Sequence, residues 1–392
     1  MFINTRKNKN TLALLLNPLL IFSILIQNVS SLSVSNISEC PPIPARSGPS
    51  DIGDLRPDDI KVIGALGDSI MAGFALEGIN DDLGGTGLLN LSTLTEFRGK
   101  SWGIGGDEGA ITLANLVKHY NSSLEGPSVG KHFAYFCKED DGDGCDAQFK
   151  HGEVDVLDAA ISGGIAASLD MELDYLLQRM AQLPNVNLVT DWKMITIQIG
   201  SNDQCASCSG NNSDVTADAY AAYVDAAVQR IRNNVPRVLV NLVGTFNVSG
   251  LYELTRGQQY CRPLFGQPDW ILNRMECSCF KGTDQDRANM DTLSAQYNAK
   301  LFEIYQKYNA EKTEGFAIAY TPANINVGGL PLEALSNVDC FHPGRLAHEW
   351  ISKVVWNNIF KPQAEKPYSN ILEYNANEQI YCPTEDDRIR ID

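Results

Sequence analysis

The sequence predicts an α/β protein, a three-layer α/β/α sandwich around a central five-stranded, mainly parallel sheet. Three observations point there. Five short apolar runs, most of them rich in β-branched residues, each have Gly, Pro, Asn or Asp close by. Longer helical stretches lie between them. The chain has 392 residues, 44% of them hydrophobic, which suffices for a large core; charged residues reach only 20%, and no fixed repeat runs through it. Those last figures exclude collagen-like, coiled-coil, solenoid and wholly disordered architectures.

Taken in order, the strands are Lys61–Gly67, Val156–Ile161, Lys193–Ile199, Arg237–Val243 and Phe316–Tyr320, with Asp158 interrupting the second. The helices are Glu108–His119, Ala166–Leu183, Ala217–Asn234, Arg287–Tyr308 and Arg345–Phe360. Strand and helix alternating in this way imply a parallel sheet covered on both faces. Right-handed crossovers then bring the strand carboxyl ends to one edge, where such sheets carry their sites.

The chain ends and the charge constrain compartment and partners. Residues 1–30 read as a secretory signal peptide: Arg6, Lys7 and Lys9 precede the apolar run Thr11–Ile26, broken by Asn17-Pro18, and small residues follow at Ser30, Ser31 and Ser33. Residues 40–384 are expected to form one domain, followed by a polar tail over 385–392. The formal charge is -17, from 31 Lys and Arg against 48 Asp and Glu. That balance repels phosphate backbones, so no nucleic-acid partner is expected. No integral span is expected in the mature chain, which should be a secreted or lumenal protein, with a monomer as the expectation.

Ten cysteines, an even number, suit five disulfides in an oxidising compartment. The local pairings expected are Cys137 with Cys145 and Cys205 with Cys208. A zinc site at Cys205, Cys208, Cys277 and Cys279 is the rival reading. Asn28, Asn36, Asn90, Asn121, Asn211 and Asn247 each open an Asn-X-Ser sequon.

The informative residues fall at the expected strand ends. Gly67-Asp68-Ser69 follows the first strand, Ser162-Gly163-Gly164 the second and Gly200-Ser201-Asn202-Asp203 the third; Asp339-Cys340-Phe341-His342 precedes the last helix. Acyl transfer needs an activated hydroxyl, a base with an orienting carboxylate, and donors aimed at an oxyanion. These segments can supply all of them. Asp339 and His342 are three residues apart, so a tight turn lets the carboxylate accept from Nδ1–H while Nε2 faces a serine from elsewhere.

These four ordered blocks resemble those of the GDSL, or SGNH, esterase and lipase superfamily. Within it, Arg98–Asp107, Asp191-Trp192-Lys193, Cys205-Ala206-Ser207-Cys208, Cys277-Ser278-Cys279 and Trp356-Asn357-Asn358 resemble segments of the phospholipase B family. The likeness runs from about Cys40 to Cys382. It implies a flavodoxin-like SGNH hydrolase fold with Ser69 as nucleophile, His342 as general base and Asp339 as its orienting acid. It further implies an oxyanion hole made of the Ser69 and Gly163 backbone N–H groups and the Asn202 amide. No cofactor or metal is implied, and the substrate would be a phospholipid or lysophospholipid at a lipid surface. A carboxylesterase, a carbohydrate acetylesterase and a non-catalytic binding protein are the alternatives. Asp158 departs from the family, which more often has Asn there, and residues 126–154 resemble an insertion.

Other motifs carry less. Ala160–Gly164 is a relaxed nucleophile elbow that would make Ser162 the nucleophile, but its first glycine is replaced by Ala160. Gly103–Gly109 follows no strand, unlike a dinucleotide loop. Glu139–Gly144 resembles part of a calcium loop, yet its twelfth position is Lys150. His348 is expected on a polar face of the last helix, and His119, His132 and His151 match no metal motif.

Overall fold

The computed structural model describes Met1 and residues 32–79, 93–134, 151–210, 212–263, 267 and 269–392. The chain separates into Met1–Ser31 and Leu32–Asp392, and the central sheet belongs to the second unit. The expected signal peptide, the Cys137–Cys145 pairing, the acidic run Glu139–Gly144 and the sequons at Asn28, Asn90 and Asn211 lie outside the described residues.

Four strands form the central sheet: β1 (Ile60–Gly67), β2 (Trp192–Gln198), β3 (Val238–Val243) and β4 (Phe316–Thr321). They are paired in that order and all parallel. Each is almost wholly buried because helices cover both faces, so apolar residues are needed at odd and even positions alike. The expected second strand differs. Residues 155–161 do run along the free edge of β1: Ala65 N donates to Leu157 O (3.0 Å), Ala159 N to Ala65 O (2.9 Å) and Ile161 N to Gly67 O (3.0 Å). Val156 is left-handed at φ 50°, and the Asp158 carboxylate accepts from Ala160 N, so the segment keeps its ladder without a regular strand conformation. Counting it, and numbering the five stretches in chain order, the spatial order is 2-1-3-4-5, the flavodoxin-like order that the family resemblance implies, with the reversal at β1.

Alternate strand residues belong to two layers. Ile195 and Ile197, Val238, Val240 and Leu242, and Phe316, Ile318 and Tyr320 pack with α3 (Leu169–Met180), α5 (Ala217–Asn234) and α8 (Asp284–Asn309). Met194, Leu239, Ala317 and Ala319 face the other way, toward α2 (Leu113–Tyr120) and α9 (Arg345–Ile359). Helix α5 shows how local signals set an element. Thr216 caps it by accepting from Ala219 N (3.2 Å), a contact worth about 1 kcal/mol. Tyr220, Val224, Ala227, Val228 and Ile231 form its buried stripe, and Pro236 forbids continuation.

The ends of the unit meet. Ser33–Val34 pairs antiparallel with Ile380–Tyr381, and Cys40 is bonded to Cys382. Residues 385–392, expected as a polar tail, are part of the packed body instead. Ile389 is 1% exposed and its N–H donates to Leu55 O, while Arg388 pairs with Asp54. The apolar-polar alternation over 388–391 is that of an extended segment with one buried face. Asn121 is a poor glycan acceptor, since its amide donates to the carbonyls of Asp58 and Ile60.

Cys40 and Cys382 close a loop of sequence separation 342, the longest among the described disulfides. Replacing both by Ala should lower the unfolding free energy by roughly 2–5 kcal/mol in denaturant titration. An unchanged midpoint would show that this closure contributes nothing.

Candidate active site

At the carboxyl end of β1, Gly67 passes so close to β2 that a Cβ would strike the Gln198 carbonyl oxygen. The chain then turns into a four-residue helix, α1 (Ser69–Ala72). Asp68 caps it, its Oδ1 accepting from Ile70 N at 2.9 Å. Ser69, 5% exposed, opens the helix, where a backbone N–H has no partner within the helix itself. Gly73 ends α1 in the left-handed conformation (φ 70°), packed so closely that a Cβ would come 2.8 Å from the Phe97 carbonyl oxygen.

The histidine arrives on a loop built around one carboxylate. Asp339 Oδ1 accepts from Phe341 N (2.8 Å) and His342 N (3.0 Å), which closes the turn, while Oδ2 accepts from His342 Nδ1 at 2.7 Å. With Nδ1 carrying the proton, Nε2 accepts from Ser69 Oγ at 2.7 Å. Cys340, between the two, is left-handed at φ 53° and is bonded to Cys261. The Phe74 ring lies edge-on to the imidazole at 4.6 Å.

The other two blocks reach the same sheet edge. Gly163 follows the 155–161 segment at φ 83°, a conformation that favours glycine. Asn202 is the second residue of α4 (Ser201–Ala206), which directly follows β2. Its Nδ2 donates to Gly164 O at 2.9 Å, and Ile161 N donates to Gly67 O, so hydrogen bonds join the Ser69, Gly163 and Asn202 blocks. Thus all five expected site residues occupy one region. Ser162, the competing nucleophile, points its hydroxyl to Glu96 Oε1 at 2.5 Å rather than to a histidine.

Burial and charge act together here. Burial pulls the His342 pKa down, but the Asp339 charge and hydrogen bond, with Glu276 and Asp68, raise it to about 9. Burial pushes Asp68 up to about 6 against the Ile70 N–H bond, and pushes Asp203 up to about 7 although both its oxygens accept from Ala166 N. Glu276, the last residue of α7 (Asn273–Glu276), is an exposed residue whose carboxyl oxygen lies within 4.8 Å of ligand atoms on Asp339 and His342. Crowding of its carboxyl end and the Asp339 charge raise its pKa. Among the described residues these three are the compact set that could hold a cation; doing so would compete with bonds that both His342 ring nitrogens already make. Sequence reasoning missed Glu276, whose nearest signal is its place beside Cys277.

The cysteines correct one expectation. Cys205 is bonded to Cys277 and Cys208 to Cys279, not to each other. Cys205 lies in the last turn of α4 and Cys208 in the turn that follows it, and both meet the Cys277-Ser278-Cys279 segment. No thiolate among them remains for zinc. The two bonds fasten the Asn202 helix to the stretch that follows Glu276. His348 is also corrected: it is 1% exposed, its Nδ1 accepts from Trp102 N at 3.1 Å, and burial lowers its pKa to about 3.

The chain is similar to several known proteins. The chain is 29% identical to human membrane-associated phospholipase B1 over 356 residues, covering 88% of this chain and 22% of that protein. The rat protein of the same name is 29% identical, with 87% and 22% covered. The chain therefore spans about a fifth of the length of these curated relatives. Among solved structures, a catalytic mutant of an acetylxylan esterase from Geobacillus stearothermophilus matches at 14% identity and TM-score 0.38, covering 80% of this chain and 96% of that one. An extracellular lipase from Streptomyces rimosus matches at 14% identity and TM-score 0.34, covering 73% and 94%. The family model for GDSL-like lipases and acylhydrolases matches residues 63–355, which span all four blocks, and the chain belongs to that family.

Proposed function

We propose that this protein is a secreted phospholipase B that hydrolyses the acyl esters of glycerophospholipids and lysophospholipids through an acyl-enzyme on Ser69. The observation that carries the reading is the continuous hydrogen-bond relay from Asp339 through His342 to Ser69, with both links at 2.7 Å. A hydroxyl held this way can pass its proton to Nε2 as Oγ attacks a carbonyl. Asp339 then faces the imidazolium with its ring already oriented. The developing oxyanion is received by the Ser69 and Gly163 N–H groups and by the Asn202 amide, neutral donors that need no reorganisation during the reaction. As the tetrahedral species collapses, His342 returns the proton to the departing alkoxide. Water repeats the sequence on the acyl-enzyme to release the fatty acid.

The lipid substrate is supported by the names of the curated relatives and by the phospholipase B-like segments of the sequence. Secretion is supported by the amino-terminal charged and apolar segment and by four disulfides among the described residues. No described helix is long and apolar enough to cross a membrane. The testing experiment incubates purified protein with phosphatidylcholine, lysophosphatidylcholine and acetylated xylan and measures the released acids. Fatty acid from both lipids is expected; acetate from xylan alone would overturn the lipid assignment.

Ser69→Ala should reduce ester hydrolysis by at least ~10³, whereas Ser162→Ala leaves a working enzyme. The pH profile of kcat/KM gives a second check. His342 must be neutral to accept the proton, and its pKa is raised to about 9, so activity should rise with pH along a limb centred well above the ordinary imidazole value. Asp339→Asn removes the charge that raises it. The limb should then move toward neutral pH while turnover falls, by up to ~10⁴ if this site behaves like the serine protease triad. A limb that stays in place in Asp339→Asn would argue against His342 as the base. Severing Cys261–Cys340 by Cys261→Ser should lower activity per folded molecule before it lowers the melting temperature far, because a base displaced by about 1 Å can cost ~10² in rate. Full activity in that folded variant would remove the disulfide from the positioning of His342.

A further inference from the structure

Four charged groups lie buried beneath the site without taking part in the proposed chemistry. The Arg98 side chain is 3% exposed, with Glu96 at 1% and Asp155 and Asp158 at 0%. Arg98 bridges to Glu96 (2.5 Å), Asp158 (3.1 Å) and Asp155 (3.4 Å), and Asp155 also binds His132 Nε2 at 2.8 Å. Buried ion pairs are weak contributors to net stability, because desolvation offsets most of their attraction. What the cluster does provide is direction. Arg98 Nη2 donates to Ala160 O (3.0 Å) and Nη1 to Asp158 O (3.4 Å), while Ser162 Oγ donates to Glu96 Oε1. Every one of these anchors falls within the five residues that precede Gly163.

The stretch that carries Glu96 and Arg98 also grips the exit of α1. Phe97 N donates to Gly73 O (2.9 Å) and Ala75 N to Thr95 O (2.8 Å), and Phe74 bridges to Glu96. Ala75 O in turn accepts from Ser336 Oγ, at the base of the loop that carries His342. Gly163 itself is exposed, and a Cβ placed there would meet nothing within 4 Å, so no side-chain packing of its own holds its N–H in place. Its direction must come from its neighbours in the chain.

We propose that Glu96 and Arg98 are positioning residues for the ester-hydrolysing site, tethering the Ser162-Gly163 turn to the end of the Ser69 helix so that their two N–H groups converge on one oxyanion. The inference rests on the assignment of Gly163 as an oxyanion donor made under Proposed function. A guanidinium suits the task because its planar fork serves carboxylates and carbonyls in several directions at once, which an ammonium cannot. Ser162 is then an anchor rather than a nucleophile.

The test is Ser162→Ala, which cuts the Glu96 link of the tether, the one next to Gly163, and leaves Arg98 with its carboxylates and carbonyls. On a soluble nitrophenyl ester, kcat should fall on the order of tenfold while KM stays within about twofold, as expected when a donor to the transition state is displaced. Affinity for an alkylboronic acid, which forms an anionic tetrahedral adduct on Ser69, should fall by the same factor as kcat/KM. Arg98→Lys keeps the charge without the fork and should give the same pattern, so the idea remains testable if either variant does not fold. Melting temperatures establish that the assayed proteins are folded. Wild-type kcat/KM and boronate affinity in a folded variant would overturn the proposal, as would a rise in KM alone. Ser69→Ala, assayed alongside, separates the two levels. If it retains activity, the reading of the site fails; if it is inactive while Ser162→Ala and Arg98→Lys are unimpaired, only the tether fails.

Discussion

Everything at the site depends on β1 being paired along both edges. On one side it meets β2, with Gly67 opposite Gln198; on the other it meets the 155–161 segment, whose Ile161 N reaches Gly67 O. Because the sheet is parallel, the segments that leave these three stretches emerge on one edge, and the reversal of strand order at β1 opens a crevice between them. Ser69, Gly163 and Asn202 are therefore neighbours by topology before any side-chain interaction is considered. The Asp339–His342 loop has only to reach over this edge, and Ser336 fastens it to the exit of α1.

Within that frame one carboxylate performs two tasks. Asp339 closes its own turn through Oδ1 and orients the imidazole through Oδ2, so the loop conformation and the ring orientation are set by the same group. The left-handed backbone at Cys340 is a strained position for a residue with a Cβ, and the bond to Cys261 supports it from outside the loop. The acids of this sheet edge sit at different depths. Asp68 and Asp203 are fully buried and carry raised pKa values, whereas Glu276 approaches from an exposed position. The site thus holds acidic groups whose ionisation depends on one another.

Much of this could be read from the residues alone. Strand and helix alternation placed the four regular strands to within a residue or two at either end, and α5 runs over the interval its periodicity indicates. The site blocks were legible because each follows a strand end and combines residue types that acyl transfer requires. The fifth strand was less so. Its apolar pattern is genuine, but Asp155 and Asp158 turn toward Arg98 and break the regular conformation, a consequence of a residue about sixty positions away. The expected Cys205–Cys208 bond failed for a similar reason. Spacing favours the nearest partner, whereas the end of α4 and the turn after it present Cys205 and Cys208 to one distant segment, Cys277-Ser278-Cys279. His348 has the sequence context of a surface residue, yet Trp102 N lies against its Nδ1. Long-range partners decided every one of these cases.

The joined ends of the unit have a consequence for its architecture. With Ser33–Val34 paired to Ile380–Tyr381 and Cys40 bonded to Cys382, the chain enters and leaves the folded body at nearly the same point. Such a body behaves as a bead on a loop: it can be copied head to tail along a longer polypeptide, or circularly permuted through an exposed connection, with little disturbance to the sheet. The catalytic edge, formed where the strands of the central sheet end, is structurally independent of that stitched junction.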